Sequence, residues 1–359
     1  MIIKNGSIKA ISTYIKVLSL KAIIEYASVL SVMVLPVVGG CTLDAPKVRL
    51  GCLPTSTFGV PFANPDDLGK HSYSFSFFEK GGIVYTCKAG NIDIDHVRGS
   101  ADLTRYFIKR VRKNLLKKGK GFSYNLAMEL STHKINFIYP KNWKTLPPDE
   151  KEKIANEIAF ELGPYLAYNA TLWHEILTWF GVHFVGFEPE FNSAFSWEDV
   201  YSNLLGTKLA VQVLRETNQK YNTAMTLAIY KELRKLDVQP KSTAIEASEK
   251  MRGKWFTGDL IPDIKMRNFD IGLDGYVTPT LIPEVHKCKE QPLPCPVPNL
   301  NILKDYEFSI IYEIKPNVFE QGRIFNAAGE KKIYPEKHFP VLLEHIKKEA
   351  SQKGYLYEQ

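Results

Sequence analysis

The chain has 359 residues, of which 45% are hydrophobic and 24% charged, and its formal net charge is +7 at pH 7. This length can bury a large core in one domain or in two closely joined domains. Residues 41–359 alone carry a formal charge of +4, a mild excess that does not indicate nucleic-acid binding, and we expect no nucleic-acid partner.

The N-terminal segment is predicted to be an export signal. Four lysines precede an uncharged apolar run over residues 26–38, which is shorter than the roughly 20 residues needed to cross a bilayer. The run ends in "VLPVVGGC", in which Gly39 and Gly40 stand directly before Cys41. This ending resembles the lipobox of bacterial lipoproteins, in which the cysteine is acylated and becomes the first residue of the mature chain. Residues 1–40 are therefore predicted to be a lipoprotein signal peptide; the alternative is a buried cysteine after an ordinary signal or helix.

The lipobox resemblance also predicts a location. An acylated Cys41 would hold the protein on a lipid bilayer, since each buried methylene contributes about 0.8 kcal/mol. Thr42 rather than aspartate follows the cysteine, which resembles the default sorting to the outer membrane in a two-membrane bacterium. We therefore expect an exported protein, lipid-anchored at the periplasmic face of the outer membrane, with no other segment able to span a membrane.

Four further cysteines are compatible with an oxidising compartment. Cys288 and Cys295 flank the polar, proline-rich stretch "KEQPLP", so we predict a local disulfide between them. Cys52 and Cys87 would then form the second pair. A metal site made of these four is less favoured, because no C-x-x-C spacing occurs.

The first predicted elements follow an irregular start. Residues 41–70 are rich in Pro, Gly and Asp and are predicted to be a lipid-anchored tether and irregular segment, before a domain over residues 71–359. The run "SYSFSFFEKGGIVYTCKAG" predicts a hairpin around Gly81–Gly82. A helix beginning near Asp95 follows, because apolar residues recur every four positions at Leu103, Phe107, Val111 and Leu115.

The middle of the chain is predicted to be helical. A strand over 133–140 precedes a helix over 148–162, and Gly163–Pro164 is expected to separate it from a second helix that ends at Gly181. Ser196 with Asp199 three residues later matches a capping box. Later elements are helices over 221–236 and 241–251, strand-like runs over 269–282 and 306–317, and a last helix over 339–352. The pattern predicts one large α+β domain with a helical middle and mainly antiparallel strands toward both ends.

His174 and Glu175 in "ATLWHEILTWFG" form half of a zinc-protease signature. That signature needs a second histidine four residues on, where this chain has Thr178. The ordinary interpretation is a core helix with a hydrogen-bonded His174 and an ion-paired Glu175. A functional interpretation stays open, because such groups are costly to bury among apolar residues unless they are paired. Glu161, Tyr168 and Glu175 would share a face if the helix continued through Gly163–Pro164.

A second polar cluster lies in "IDIDHVRGSAD" and the residues after it. Asp95, Arg98, Asp102 and Arg105 form a stripe of alternating charge at helical spacing, which is typical of a solvated face with weak ion pairs. We accept this for Arg105, and assign Arg98 and Arg105 a structural or anion-contacting role. His96 stands at the helix start, where free backbone N–H groups and the helix dipole favour an anion or a developing oxyanion.

Three segments together carry a family resemblance. The runs "GGIVYTCKAGNIDIDHVRGSAD", "WHEILTWFG" and "SAFSWEDVYSNLLG" resemble the bacterial exported lipoprotein family catalogued as domain of unknown function 4056. The family has no established activity, cofactor or site to carry over. The resemblance implies that eight polar residues lie in family motifs: His96, Arg98, Asp102, His174, Glu175, Ser196, Glu198 and Asp199. Cys87 also lies at a motif position, which leaves a thiol role open, although a strand cysteine paired with His96 is a weak candidate nucleophile.

Eight Lys/Arg residues and no acid lie between Arg105 and Lys120. This run could contact anionic lipid head groups or an anionic envelope polymer. The more ordinary interpretation is the solvated side of an amphipathic helix.

Two functional hypotheses follow. In the first, the protein is a metal-dependent hydrolase in which His96 and His174 are ligands or acid–base groups and Glu175 is a base or ligand. Asp102 and Glu198 would be further catalytic carboxylates, and zinc is the predicted metal. In the second, the protein is a non-enzymatic envelope scaffold or binding lipoprotein, and these polar residues form a buried structural network.

Overall fold

The computed structural model describes residues 45–49, 51–57, 61–126, 131–181, 193–216, 219–259, 262–286, 288–316 and 321–357. Ala45–Gln359 forms one compact unit. The predicted signal peptide and Cys41 lie outside the described residues. Within the described ranges, no helix combines the length and the apolar composition needed to cross a bilayer.

The described residues form eight α-helices, nine short strands and one 3-10 helix. The strands are β1 (Ile83–Thr86), β2 (Gly90–Asp93), β3 (Gly121–Asn125), β4 (Thr132–Ile138), β5 (Met266–Arg267), β6 (Tyr276–Val277), β7 (Cys295–Pro296), β8 (Ser309–Lys315) and β9 (Leu356–Tyr357). The α-helices are α1 (Ile94–Leu116), α2 (Pro148–Trp179), α3 (Asp199–Glu216), α4 (Tyr221–Lys235), α5 (Lys241–Met251), α6 (Asn301–Asp305), α7 (Gln321–Ala328) and α8 (Pro335–Gln352), and the 3-10 helix is Lys141–Lys144.

The strands pair mainly in antiparallel fashion. β1 pairs with β2, β6 pairs with β7, and β3, β4 and β8 form a three-stranded antiparallel sheet, whereas β5 and β9 are parallel. Three long helices occupy the middle of the chain, with α1 packed against both α2 and α3. The predicted α+β class, with a helical middle and antiparallel strands toward both ends, is therefore confirmed.

The predicted break at Gly163–Pro164 is wrong, because α2 is one continuous helix. A Cβ on Gly163 would lie 2.5 Å from Cγ1 of Ile108 on α1, so the glycine permits the close contact of the two helices. An internal proline costs a helix about 3 kcal/mol. Here burial compensates, because side chains such as Leu162 and Trp173 are fully buried on both sides of Pro164.

The predicted hairpin turn is also misplaced. β1 and β2 pair from Ile83↔Asp93 to Thr86↔Gly90, so the turn lies at residues 87–89 and not at Gly81–Gly82. Gly90 has a φ of +63°, a conformation that glycine adopts without steric cost.

One disulfide joins Cys87 to Cys288, across 201 residues of sequence. The predicted pairs Cys288–Cys295 and Cys52–Cys87 are wrong: Cys295 lies buried in β7, and Cys52 is a free cysteine near the start of α1. Disulfide partners are the cysteines whose Cβ atoms the fold brings together, and proximity in sequence did not identify them. Because Cys87 is disulfide-bonded, the thiol-nucleophile interpretation of this residue fails.

From Ala45 onward, the segment predicted to be a tether is part of the compact unit. The described parts of residues 45–57 contain no helix or strand, yet Thr55 is fully buried and Arg49 is bonded to Asp102 on α1. Irregular structure here is held by polar contacts with the helices.

Gly206 sets the distance between α1 and α3. A Cβ at this position would lie 2.0 Å from the carbonyl oxygen of Val97 and 2.9 Å from its Cα atom. Both are backbone atoms and cannot move aside as a flexible side chain would. The absence of a side chain at Gly206 therefore brings the start of α1 close to α3.

Replacing Gly206 by alanine is expected to lower the free energy of unfolding by about 1–3 kcal/mol, because the helices must separate. Gly99 on α1 is the matched control, since a Cβ there meets nothing within 4 Å. Gly99→Ala should be neutral or stabilising by up to about 1 kcal/mol, the helix-propensity difference. Urea unfolding of both variants checks this, and equal midpoints would contradict the close contact.

Candidate functional site

The candidate site begins at the N-terminus of α1. Asp93 caps the helix: its Oδ1 accepts hydrogen bonds from the backbone N–H groups of Asp95 at 2.7 Å and His96 at 3.3 Å. Its Oδ2 accepts the N–H of Cys52 at 2.5 Å, and its own N–H donates to Oγ of Ser202 on α3. Asp93 is fully buried, and this burial raises the pKa of its carboxyl to about 6.

The N-terminus of α3 supplies two more carboxyl groups. Oδ2 of Asp199 accepts both the N–H and the Oγ–H of Ser196 at 2.8 Å. The hydrogen bond from the N–H of Ser196 is one of the two that define the predicted capping box. Oε1 of Glu198 also lies 2.8 Å from Oγ of Ser196. The hydroxyl of Ser196 therefore lies between the carboxyl groups of Glu198 and Asp199 and donates to them. Burial raises the pKa of Glu198 well above 4.5, with a further contribution from Asp199.

His96 joins the two helix ends. Its Nδ1 lies 3.2 Å from Oδ1 of Asp199 and 3.4 Å from Oδ2 of Asp93, and 21% of its side chain is exposed. Burial lowers the pKa of His96, but the carboxylates of Asp93 and Asp199 outweigh it and raise that pKa well above 6.5. The two carboxylates therefore favour the protonated form of the imidazole.

Glu175 lies on α2, and its side chain binds the turn that precedes α3. Its Oε2 accepts the N–H of Phe195 at 2.8 Å, and its charge also raises the pKa of His96. Arg267 of β5 holds the same turn, because its buried guanidinium donates to the carbonyl of Ala194. The turn that carries Ser196, Glu198 and Asp199 is thus held from two sides.

Gly51 lies against the imidazole, and the next residue, Cys52, contacts Asp93 and Asp95. A Cβ on Gly51 would lie 2.5 Å from both Cε1 and Nε2 of His96. Sγ of Cys52 lies 3.8 Å from Oδ2 of Asp95, and the ligand atoms of Cys52, Asp93 and Asp95 all lie within 4.8 Å of one another. Burial, followed by the nearby Asp93 and Asp95, raises the pKa of the Cys52 thiol, so this thiol is no ready nucleophile.

The structure gathers some of the predicted site residues and not others. His96, Glu175 and Glu198 come together. His174 is half-buried and is not among the strongest electrostatic influences on His96. Neighbouring helical residues point about 100° apart, so with Glu175 turned toward Phe195, His174 points elsewhere.

Asp102 lies in a separate cluster that we call the buried ion network. It consists of Arg49, His71, Glu79, Arg98 and Asp102. Oδ1 of Asp102 lies 3.0 Å from Nε2 of His71, and its Oδ2 accepts from Nη1 of Arg49 at 2.7 Å.

The predicted solvated stripe on α1 is wrong for two of its members. Arg98 is 1% exposed and donates to the backbone carbonyls of Leu68 and Lys80, while Asp102 is fully buried. Arg105 is half-buried and its guanidinium stacks over the rings of Tyr73 and Tyr221, while its structural or anion-contacting role stays a prediction.

Part of the basic run on α1 is engaged within the protein. Arg110 stacks over Phe122, and Arg112 pairs with Glu152 on α2. These contacts agree with the interpretation of an amphipathic helix.

Sequence reasoning missed the site roles of Cys52 and Asp93. Asp93 had a local signal, because an aspartate directly before an amphipathic pattern is a common N-cap. Cys52 had none, since its contact with Asp93 joins segments distant in sequence. Two surface depressions, of about 600 Å³ and 260 Å³, lie around Leu227 and Lys231, and neither is lined by His96.

Comparison with known proteins adds a family. A family model described as "Protein of unknown function (DUF4056)" matches residues 44–279. No curated protein and no solved structure matches the chain. The matched range contains every residue of the His96 site and of the buried ion network.

Proposed function

Because the chain belongs to the family described as Protein of unknown function (DUF4056), a description that states no activity, we propose its function from the geometry around His96. The protein is an envelope lipoprotein anchored through an acylated Cys41, and its body carries a divalent cation that assists hydrolysis. One observation carries the chemistry: five carboxyl groups gather around a single imidazole, from Asp93, Asp95, Glu175, Glu198 and Asp199.

Cys52, Asp93 and Asp95 supply the metal ligands in this proposal. Their ligand atoms lie within 4.8 Å of one another, and zinc accepts thiolate and carboxylate ligands together and deprotonates a coordinating thiol outright. Three protein ligands leave a fourth position for water. A second observation supports a cation near this set: among the described residues, the buried Oε2 of Glu198 has no hydrogen-bond partner, and the charge of Glu198 contributes to the raised pKa of the Cys52 thiol. This ligand set replaces the predicted His96, His174 and Glu175.

His96 is the proposed acid–base group. Asp199 holds its Nδ1 edge, and the remaining edge faces Gly51, where a substrate or water would approach. Glu175 is a positioning residue, because its carboxylate is engaged by the N–H of Phe195. Zinc would lower the pKa of its bound water, and His96 would protonate the leaving group.

Elemental analysis of the mature chain, purified without a histidine tag, tests the metal. We expect about one zinc ion per chain, a loss of zinc of tenfold or more in Cys52→Ala, and no loss in the matched control Cys295→Ala. Both cysteines are free, so the pair separates a ligand from an ordinary buried thiol. His96→Gln should retain zinc and lose hydrolysis of any ester or amide that the wild type cleaves.

Two outcomes would refute this assignment. A wild-type chain without bound metal would end the cation proposal. Zinc loss in His174→Ala, with none in Cys52→Ala, would favour the ligand set predicted from sequence instead.

The anchoring proposal has its own test. Cells expressing the full chain and fed radiolabelled palmitate should label the wild-type protein, while Cys41→Ser should be unlabelled and leave the membrane fraction. Thr42 after the cysteine supports sorting to the outer membrane. Equal labelling of the two chains would contradict lipidation at Cys41.

A structural role for the same residues is the second candidate. It is favoured by the backbone N–H groups that the carboxylates of Asp93, Glu175 and Asp199 already accept. A scaffold predicts that a chelator leaves the melting temperature unchanged. A zinc centre predicts a lower melting temperature after chelation, because metal binding stabilises only the folded state.

A further inference from the structure

Three phenylalanine side chains project into solvent from the loop over residues 72–79, which we call the phenylalanine loop. Phe75, Phe77 and Phe78 are 75%, 87% and 78% exposed, and the rings of Phe75 and Phe77 pack edge to face at 4.8 Å. Val48 in the neighbouring segment is 52% exposed. Single exposed apolar residues need no explanation, but a contiguous aromatic cluster marks an interaction surface.

The base of this loop is fixed to the body. Glu79 accepts the N–H of Ser72 at 3.0 Å and two hydrogen bonds from Arg49. The N–H of Tyr73 donates to Asn222 of α4, and Arg105 stacks over the Tyr73 ring at 4.2 Å. These contacts therefore fix the base of the loop that carries the rings. Binding through the rings then requires little additional ordering of the chain.

The N-terminal chain leaves the body beside this loop. Lys47 and Arg49 both contact Glu79, and Nη2 of Arg49 donates to the carbonyl of Ser72 at 2.9 Å. Only four peptide links separate Ala45 from Cys41, so the two Cα atoms lie at most about 15 Å apart. In the proposed anchoring, a bilayer that holds Cys41 would therefore be close to Ala45.

The charges around the loop suit an anionic surface. Lys70 and Lys80 are exposed at its two ends, and Lys80 is paired with the exposed carboxylate of Asp67. Its single carboxylate, Glu79, is engaged by Lys47 and Arg49. Positive side chains beside exposed aromatic rings are the combination that docks on anionic phospholipid head groups.

We propose that the phenylalanine loop inserts its three rings into the head-group region of an anionic phospholipid bilayer. The proposal rests on the proposed anchoring at Cys41 for the position of that bilayer, and it is independent of the chemistry at His96. The rings would enter the interface while the loop backbone stays hydrated at head-group depth. The body would then be held on the membrane at two points instead of one.

Vesicle flotation tests the loop separately from the anchor. The compact unit over residues 45–359, which lacks Cys41, is mixed with vesicles of phosphatidylethanolamine and phosphatidylglycerol, or of phosphatidylcholine alone. We expect wild-type binding to the anionic vesicles and a loss of tenfold or more in the triple loop variant. The loop variant is Phe75→Ser, Phe77→Ser, Phe78→Ser; the control, at exposed apolar positions elsewhere, is Leu227→Ser, Leu273→Ser, Ile311→Ser.

The proposal is supported only if the loop variant alone loses binding while keeping the wild-type melting temperature. It is overturned if the wild type does not float, if loop and control variants bind equally, or if the loop variant instead dissolves a wild-type dimer seen in sedimentation. If palmitate labelling at Cys41 fails, the proposed anchor is refuted, but the flotation result for the loop is unaffected. The failure of one proposal can therefore be distinguished from the failure of the other.

Discussion

Replacing Asp102 by alanine is expected to lower the free energy of unfolding by about 3–5 kcal/mol. The carboxylate is fully buried and binds Arg49 and His71 at 2.7 Å and 3.0 Å. Its removal leaves Nε2 of the buried His71 imidazole without its partner and takes one carboxylate from the buried Arg49 guanidinium, which still binds Glu79. Breaking a buried pair in this way costs more than the pair contributes when intact. Urea unfolding with matched slopes measures the change.

Asp67→Ala is the matched control for this variant. Asp67 also forms an ion pair, with Lys80, but both side chains are more than half exposed, and exposed pairs contribute about 1 kcal/mol or less. If Asp102→Ala unfolds at the same urea concentration as Asp67→Ala, the buried ion network does not stabilise the fold.

Acidification is expected to destabilise the wild type more than the Glu79→Gln variant, because protonation of Glu79 removes a stabilising charge. Burial raises the pKa of Glu79, but the hydrogen bonds and charge of Arg49, with help from Lys47, lower it to about 2. This folded-state pKa lies below the ordinary value of 4.5, so the ionised carboxylate stabilises the protein above pH 4.5. That stability is lost as the pH falls from about 4.5 to about 2, and amounts to roughly 3 kcal/mol.

The measurement is the pH dependence of urea unfolding for wild type and Glu79→Gln. The wild type should lose about 3 kcal/mol more than the variant across this window, because glutamine does not titrate. Glu330→Gln is the control, since Glu330 is largely exposed and pairs with Lys337 at the surface. A Glu79→Gln curve parallel to the wild type would show that Arg49 and Lys47 do not stabilise the ionised form.

Local patterns were enough to identify much of the fold. The four-residue apolar repeat after Asp95 predicted α1, and the segments at 221–236 and 241–251 match α4 and α5 closely. His96 was recognised as the residue at a helix start. These predictions succeed because helical periodicity and capping depend on neighbours within one or two turns.

Such local patterns could not identify the other residues of the candidate site. Sequence reasoning grouped His96 with His174 and Asp102, whereas the fold groups it with Asp93, Asp199 and the segment around Cys52. The motif spacing of a zinc protease drew attention to His174, although Glu175 beside it is the group that reaches the site.

The sequence by itself therefore determined the α+β class, the principal helices and the helix start at His96, since each depends on short-range periodicity and on capping chemistry. The tertiary structure alone decided that Cys87 pairs with Cys288, that α2 passes through Pro164 unbroken, and which carboxylates surround the imidazole. The physical reason is that periodicity tells which face of a helix is buried, but not which surface it meets. That choice is made by close contacts such as Gly206 against Val97, between residues with no common local pattern.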